Sequence, residues 1–278
     1  MKWRGASRRR QRRENNGAAI GRADRGENVV APRVAAITGA SSGIGAATAR
    51  ALAGAGYELV LGARRLDRLR EVAEPLGARA LALDVTDLQS VEAFAAAIPR
   101  LDVLVANAGK ALGTDRIEAA REELWETMFR TNVLGVLRTV RALLPKLEAS
   151  GDGLVVVVGS IAGFETYRGG AGYTASKHAL RAFTRTLRLE LLGKPLRVTE
   201  LSPGLVETEF SLVRFAGDAE RAKKVYQGLQ PLTADDVAEC VRWVCSLPSH
   251  VDVDEIVVRP RDQATATEVH RRGDADDR

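Results

Sequence analysis

From Arg33 onward, seven short, almost uninterrupted apolar runs rich in β-branched residues succeed one another along the chain. They are Val34–Ile37, Glu58–Leu61, Ala80–Leu83, Val103–Ala106, Leu154–Val158, Arg197–Leu201 and Ile256–Val258. Between them lie longer stretches with helical spacing, among them Ala46–Ala55, Leu66–Glu74, Leu88–Ile98, Glu122–Leu147, Ala175–Leu192 and Ala234–Ser246. Strands that lack polar alternation are buried on both faces, the condition of a parallel sheet covered by helices. Strands that alternate with helices build right-handed crossovers, so the pattern predicts one doubly wound α/β sheet of about seven strands across residues 33–262. No repeat at solenoid periods competes with that reading.

Charge and composition narrow the function. The chain carries a net charge of +5, yet residues 1–32 hold nine Lys/Arg against three acids, a surplus of +6, so residues 33–278 sum to −1. The basic character belongs to an N-terminal extension that is poor in large apolar side chains and is expected to be disordered. The folded domain has no footprint for a phosphate backbone, and no nucleic-acid partner is expected for it. No run approaches the ~18–20 apolar residues of a membrane span, and no apolar segment comes after the N-terminal arginines as a secretory signal requires. Cys240 and Cys245 match no metal or disulfide spacing, and His178, His250 and His270 are scattered, so no metal site is expected. Two apolar thiols suit a reducing, cytoplasmic setting. Residues 263–278 turn polar and are expected to fray. The charged stretch Glu209–Gly228 reads as a mobile lid over a substrate.

The first strand runs into Thr38-Gly39-Ala40-Ser41-Ser42-Gly43-Ile44-Gly45, with a helix behind it. Glycines at this place let the backbone turn and approach a pyrophosphate, which then meets the positive helix end. Gly39, Ser41, Ser42, Gly43, Ile44 and Gly45 are therefore candidates to hold a dinucleotide. After the second strand the chain reads Leu61-Gly62-Ala63-Arg64-Arg65, without the acid that accepts from an unmodified ribose. Arginine instead binds a 2′-phosphate with charged hydrogen bonds, so Arg64 and Arg65 favour NADP over NAD.

The fifth strand ends in Val158-Gly159-Ser160, and Tyr173-Thr174-Ala175-Ser176-Lys177 lies beyond it on a helix. Positions four apart share a helix face, so Tyr173 and Lys177 can address one site, with Ser160 delivered by the strand end. A carbonyl that accepts hydride needs its oxygen protonated, and an alcohol that gives hydride needs a base. Free tyrosine, with a pKa near ~10, is a poor base at neutrality unless a nearby ammonium favours its phenolate. Lys177 can supply that charge, and Ser160 can bond the substrate oxygen.

The loop spacing Gly-x-x-x-Gly-x-Gly and the ordered set Ser160, Tyr173 and Lys177 resemble the short-chain dehydrogenase/reductase family over about residues 33–262. The resemblance implies a Rossmann-like fold. It also implies that Asp84 and Val85 contact the adenine, that Asn107 of Asn107-Ala108-Gly109 steadies the cofactor site, and that Lys177 binds the nicotinamide ribose. Asn132 matches the family's fourth catalytic residue, associated with a proton-relay water. Pro203 and Gly204 match the segment that passes the nicotinamide, and Val206 and Thr208 match contacts to its carboxamide.

A narrower likeness lies in Leu205–Ser211, Val213–Phe215, Lys224–Gln227 and Ile256–Gln263, which resemble the NADP-dependent 3-hydroxy acid dehydrogenases. That subgroup implies a small substrate such as serine or L-allo-threonine, and a homotetramer. A clavulanate-type reductase shares a similar Arg-Pro-x-Asp-Gln ending, so the segment marks a branch and not one substrate. A 3-hydroxy acid needs a carboxylate anchor, for which Arg214 and Arg168 are candidates. Two other readings stay open: a carbonyl reductase for a keto-lactone, sugar or polyol, and a non-catalytic cofactor-sensing or nucleic-acid-associated protein. The intact Ser160, Tyr173 and Lys177 argue against the last.

Overall fold

The computed structural model describes residues 31–272. The N-terminal extension, residues 1–32, falls outside them apart from its last two positions. Seven strands form one parallel sheet: β1 (Val34–Thr38), β2 (Glu58–Ala63), β3 (Arg79–Ala82), β4 (Val103–Ala106), β5 (Gly153–Val158), β6 (Leu196–Pro203) and β7 (Glu255–Val258). Their order is β3-β2-β1-β4-β5-β6-β7, so the winding reverses between β1 and β4. The register aligns Ala36 with Val60 on one side and with Leu104 on the other. In an open sheet of this kind, ligands bind beyond the strand carboxyl ends at the reversal.

Alternation along each strand sends side chains into two cores. Ala36, Leu104, Val155 and Val157 pack on one face against Phe94, Leu143, Leu147 and Leu180. Ile37, Leu61 and Val156 pack on the other against Leu52, Leu69, Val237 and Val241. The first face is covered by α3 (Leu88–Ala96), α5 (Gly135–Ala149) and α6 (Ala171–Glu190). The second is covered by α1 (Gly43–Gly54), α2 (Leu66–Ala73) and α9 (Ala234–Cys245). Both faces being apolar explains why the strands read as continuous runs.

Two local expectations need correction, and a third gains detail. The single helix expected over Glu122–Leu147 is α4 (Glu122–Phe129) and α5 joined by a π-helical turn, Arg130–Leu134. An inserted residue of this kind slips the apolar pattern by a single position, too little to stand out between two short runs, so pattern alone misses it, and such turns gather at functional sites. The stretch read as a lid contains two short helices, α7 (Glu209–Arg214) and α8 (Ala219–Lys224). Thr208 and Asp218 cap them by accepting from Phe210 N and Arg221 N, which offsets their poor apolar patterning. The fraying expected after Asp262 does not hold for residues 263–272. Gln263 is buried, His270 N donates to Asp262 O, and Arg271 donates to the carbonyls of Val225 and Gln227.

Among the described residues no helix is long and apolar enough to cross a membrane.

Candidate active site

A cavity of about 800 Å³ opens at the carboxyl ends of the strands, at the reversal between β1 and β4. The glycine loop forms its floor. Gly39 has φ +68°, a left-handed conformation, and a Cβ there would lie 2.9 Å from Ala108 Cα. Gly39, Ser41, Ser42, Gly43 and Ile44 line the cavity. Gly45 is not part of the lining; it sits beneath, where a Cβ would fall 2.5 Å from Gly39 O and 2.6 Å from Asn107 Nδ2. Asn107 Nδ2 donates to Thr38 O at 2.9 Å and Gly39 O at 3.2 Å, tying the ends of β1 and β4 together.

At one end of the cavity stand Arg64, Arg65, Asp84 and Val85. Arg65 donates to Ser42 Oγ at 2.7 Å and Ser41 Oγ at 3.3 Å, and pairs with Glu209 of α7 at 3.0 Å. Arg68 joins the same carboxylate at 2.8 Å. These hydrogen bonds, Arg65's first, hold the Glu209 carboxyl below its ordinary pKa. Arg65 thus fastens the glycine loop to α7, while Arg64, among the described residues, has no carboxylate within ion-pair distance. Burial pushes the Asp84 carboxyl up, but bonds from Thr86 N and Oγ1, with Arg64 and Lys110 nearby, outweigh it and leave the pKa low.

At the other end, Ser160 leaves β5 and accepts from Ala162 N at 3.2 Å. Tyr173 lies on the first turn of α6, which begins at Ala171, four residues earlier than its spacing suggests. Lys177 sits one turn later, 6% exposed, its Nζ donating to Val158 O at 2.9 Å and lying 5.9 Å from the Tyr173 ring centroid. All three residues line the cavity. Helix α7 roofs them: Phe210 meets the Tyr173 ring edge-on at 5.6 Å, and the Arg214 guanidinium lies 6.0 Å from that ring and 5.3 Å from Tyr167. Arg214 Nε also donates to Gly113 O at 3.4 Å. Arg168, the other anchor candidate, is exposed and is not among the lining residues.

Asn132 is 1% exposed and stands behind the cavity wall. From the π turn its side chain accepts from Lys110 N at 2.9 Å and donates to Lys110 O at 2.8 Å and Ser176 Oγ at 3.0 Å. It therefore clamps the loop after β4 to α6. Pro203, Gly204, Val206 and Thr208 line the cavity after β6. A Cβ on Gly204 would meet Gln263 Oε1 at 2.3 Å, the atom that accepts from Leu205 N at 2.8 Å.

The electrostatics depart from one expectation. Burial pushes the Tyr173 phenol above its ordinary pKa; Tyr167 adds to this, and Ser160 and Arg214 pull the other way. Lys177 does not provide the lowering expected of it. Its own ammonium is desolvated and pushed down to about 8, supported only by the buried Glu200. The chain by itself thus keeps Tyr173 a proton donor at neutral pH.

Several lining residues are not singled out as site residues by the sequence, although Tyr226 and Gln263 fall within the segments of the narrower likeness. Lys110 sits where the loop after β4 turns. Tyr226, whose hydroxyl lies 2.6 Å from Ser211 Oγ and donates to Val206 O at 2.9 Å, braces α7. Gln263, Ala266, Thr267, Val269 and Arg271 come from a tail whose polar composition resembles a frayed end. The lining totals six basic side chains (Arg64, Arg65, Lys110, Lys177, Arg214, Arg271) against Asp84 and Glu209, a net of four positive charges in a domain that sums to −1 over residues 33–278. Such a cavity suits an anionic dinucleotide and an anionic substrate.

Comparison with known proteins agrees with this geometry. The family model described as short chain dehydrogenase matches residues 33–217. An uncharacterized oxidoreductase of Mycobacterium tuberculosis is 60% identical over 235 residues, covering 84% of this chain and 94% of that one. The NADP-dependent 3-hydroxy acid dehydrogenase of Schizosaccharomyces pombe is 42% identical over 247 residues, covering 85% and 95%. Among solved structures, the closed form of serine dehydrogenase complexed with NADP⁺ superposes with a TM-score of 0.82 at 39% identity, covering 86% of this chain and 100% of that one.

Proposed function

The chain belongs to the short-chain dehydrogenase family, and from that premise we propose that it is an NADP-dependent oxidoreductase acting on a small 3-hydroxy acid such as serine or L-allo-threonine. The observation that carries the reading is the meeting of Tyr173, Ser160 and Arg214 in one cavity beside a cation-lined dinucleotide cleft. The relatives named for NADP and for serine or 3-hydroxy acids support it.

Bound NADP(H) supplies or accepts the hydride. Arg64 and Arg65 suit its 2′-phosphate, Gly39 through Ile44 its pyrophosphate, and Asp84, Val85 and Asn107 the adenosine half. Pro203, Gly204, Val206, Thr208 and Lys177 suit the nicotinamide half. Tyr173 gives a proton to the substrate oxygen in reduction and removes it in oxidation, while Ser160 holds that oxygen. Arg214, hanging from α7 above Tyr173, is placed to grip a carboxylate with two bonds. Asn132 positions the wall and keeps the relay role suggested for it by resemblance.

A 340 nm absorbance screen with NADP⁺ or NADPH over serine, L-allo-threonine, other 3-hydroxy acids and neutral ketones tests the assignment. Activity confined to neutral carbonyls would refute the hydroxy-acid reading. Arg214→Ala is expected to raise KM for the acids about tenfold or more, the weight of a charged hydrogen bond, and to leave neutral ketones almost unchanged. Equal effects on both classes would remove Arg214 as the anchor.

The titrations set a pH signature. With the Tyr173 pKa raised, the phenol remains an acid through neutrality. Lys177 loses its proton above about pH 8. Because we assign the Lys177 ammonium to the nicotinamide half, reduction is expected to run level to about that pH and then fall as the ammonium is lost, whereas oxidation, which needs the phenolate, climbs. Parallel kcat/KM profiles in the two directions would contradict this assignment of the acid.

As part of the same reading we place the enzyme in the cytoplasm, where free Cys240 and Cys245 stay reduced. We also read it as a homotetramer. Exposed Leu134 and Leu137 beside α4, and Val257 on the edge strand β7, supply apolar area for such contacts.

A further inference from the structure

We infer that Lys110 is a phosphate-binding residue of the dinucleotide cleft, acting with Arg64 on a phosphate group of the cofactor. The inference rests on the NADP reading and adds to it a residue outside the glycine loop and the β2 arginines. Its basis is placement. Lys110 is fixed through its own backbone, its N–H and its carbonyl both held by the Asn132 amide. The residue is half-buried and lines the cavity with Arg64, Asp84, Thr86 and Thr131.

An ammonium so placed needs an anion. Among the described residues no carboxylate lies within 4.0 Å of it. Asp84 is the acid whose charge supports it, while burial and the Arg64 guanidinium both oppose its protonated form. Asp84 Oδ1 already accepts two bonds from Thr86, at 2.9 and 2.7 Å, so that oxygen is engaged elsewhere. Two cations that line one cavity, with a single acid near both, repel each other until an anion enters. A phosphate satisfies both and offers several acceptors in one group. The cofactor carries such groups at its 2′-position and in its pyrophosphate.

Calorimetric titration of the full chain with two probes tests the inference and separates those sources. The probes are adenosine 2′,5′-bisphosphate and ADP, with NADPH titrated beside them. Lys110→Met keeps the stem and removes the charge, and Lys110→Arg restores the charge. The expected result is about tenfold weaker binding in the Met variant, largely recovered in the Arg variant, at an unchanged thermal midpoint. Loss confined to adenosine 2′,5′-bisphosphate assigns Lys110 to the 2′-phosphate; equal loss with ADP assigns it to the pyrophosphate. Unchanged affinity for both probes in Lys110→Met would overturn the inference and leave the NADP reading intact. Failure of the unaltered chain to bind NADPH would overturn that reading itself.

Discussion

Tyr173→Phe is expected to lower turnover by about 10²- to 10⁴-fold, the range of a lost general acid–base group, with NADPH affinity held within about twofold. The change removes one oxygen. The ring keeps its edge contact with Phe210 and its place on the first turn of α6, so the roof of the cavity has no reason to shift. Ser160 still holds the reacting oxygen and Arg214 the carboxylate, so substrate binding is kept while the proton donor proposed for the reaction is lost. Steady-state kinetics read against a fluorescence titration of NADPH separate the two effects. Turnover near that of the unaltered enzyme would refute the role of Tyr173. A parallel loss of NADPH binding would show a disturbed site and not a lost proton donor.

Gly45→Ala is expected to cost about 1–3 kcal/mol of stability, the usual range for overpacking, and to weaken dinucleotide binding about tenfold or more. The added methyl would lie 2.5 Å from Gly39 O, 2.6 Å from Asn107 Nδ2 and 3.0 Å from Ala40 Cα. Two of these atoms are backbone of the glycine loop, and the third is the amide that ties β1 to β4. None can yield without moving the turn. At roughly 2–4 °C per kcal/mol for a domain of this size, the thermal midpoint should fall by several degrees. An unchanged midpoint together with unchanged NADPH affinity would show that the loop has slack the geometry does not reveal. Gly54, with nothing within 4 Å of its added Cβ, provides the control; its Ala variant should not be destabilised.

Parts of this site are legible in the order of the amino acids. Burial of a parallel sheet on two faces writes itself into the chain as unbroken apolar strands, and the pattern places those strands to within one or two residues at most of their ends. The glycine loop, Ser160, Tyr173 and Lys177 lie at strand ends or one helical turn apart, and local geometry is all that such spacing needs. Arg64 is legible for a similar reason: it comes directly after β2, and a residue just beyond a strand end near the reversal faces the ligand.

Other parts are not. Arg65 reads as easily as a plain helix start, and its link to Glu209 spans 144 residues. Asn132 matches a relay residue, yet the π turn spends its amide on Lys110 and Ser176. The polar tail has the composition of a frayed end, whereas Gln263 closes on Gly204 and Arg271 on the end of the lid.

The amino-acid order by itself determined the doubly wound sheet, the glycine loop and the Tyr173–Lys177 pair, because each depends on neighbours a few residues away. Only the tertiary structure decided that burial pushes the Tyr173 phenol up, that Arg214 and not Arg168 lines the cavity, and that the tail completes the wall. Burial, ion pairing and cavity lining are set by residues distant in the chain, in places a hundred or more positions apart. No local pattern records which of them will meet.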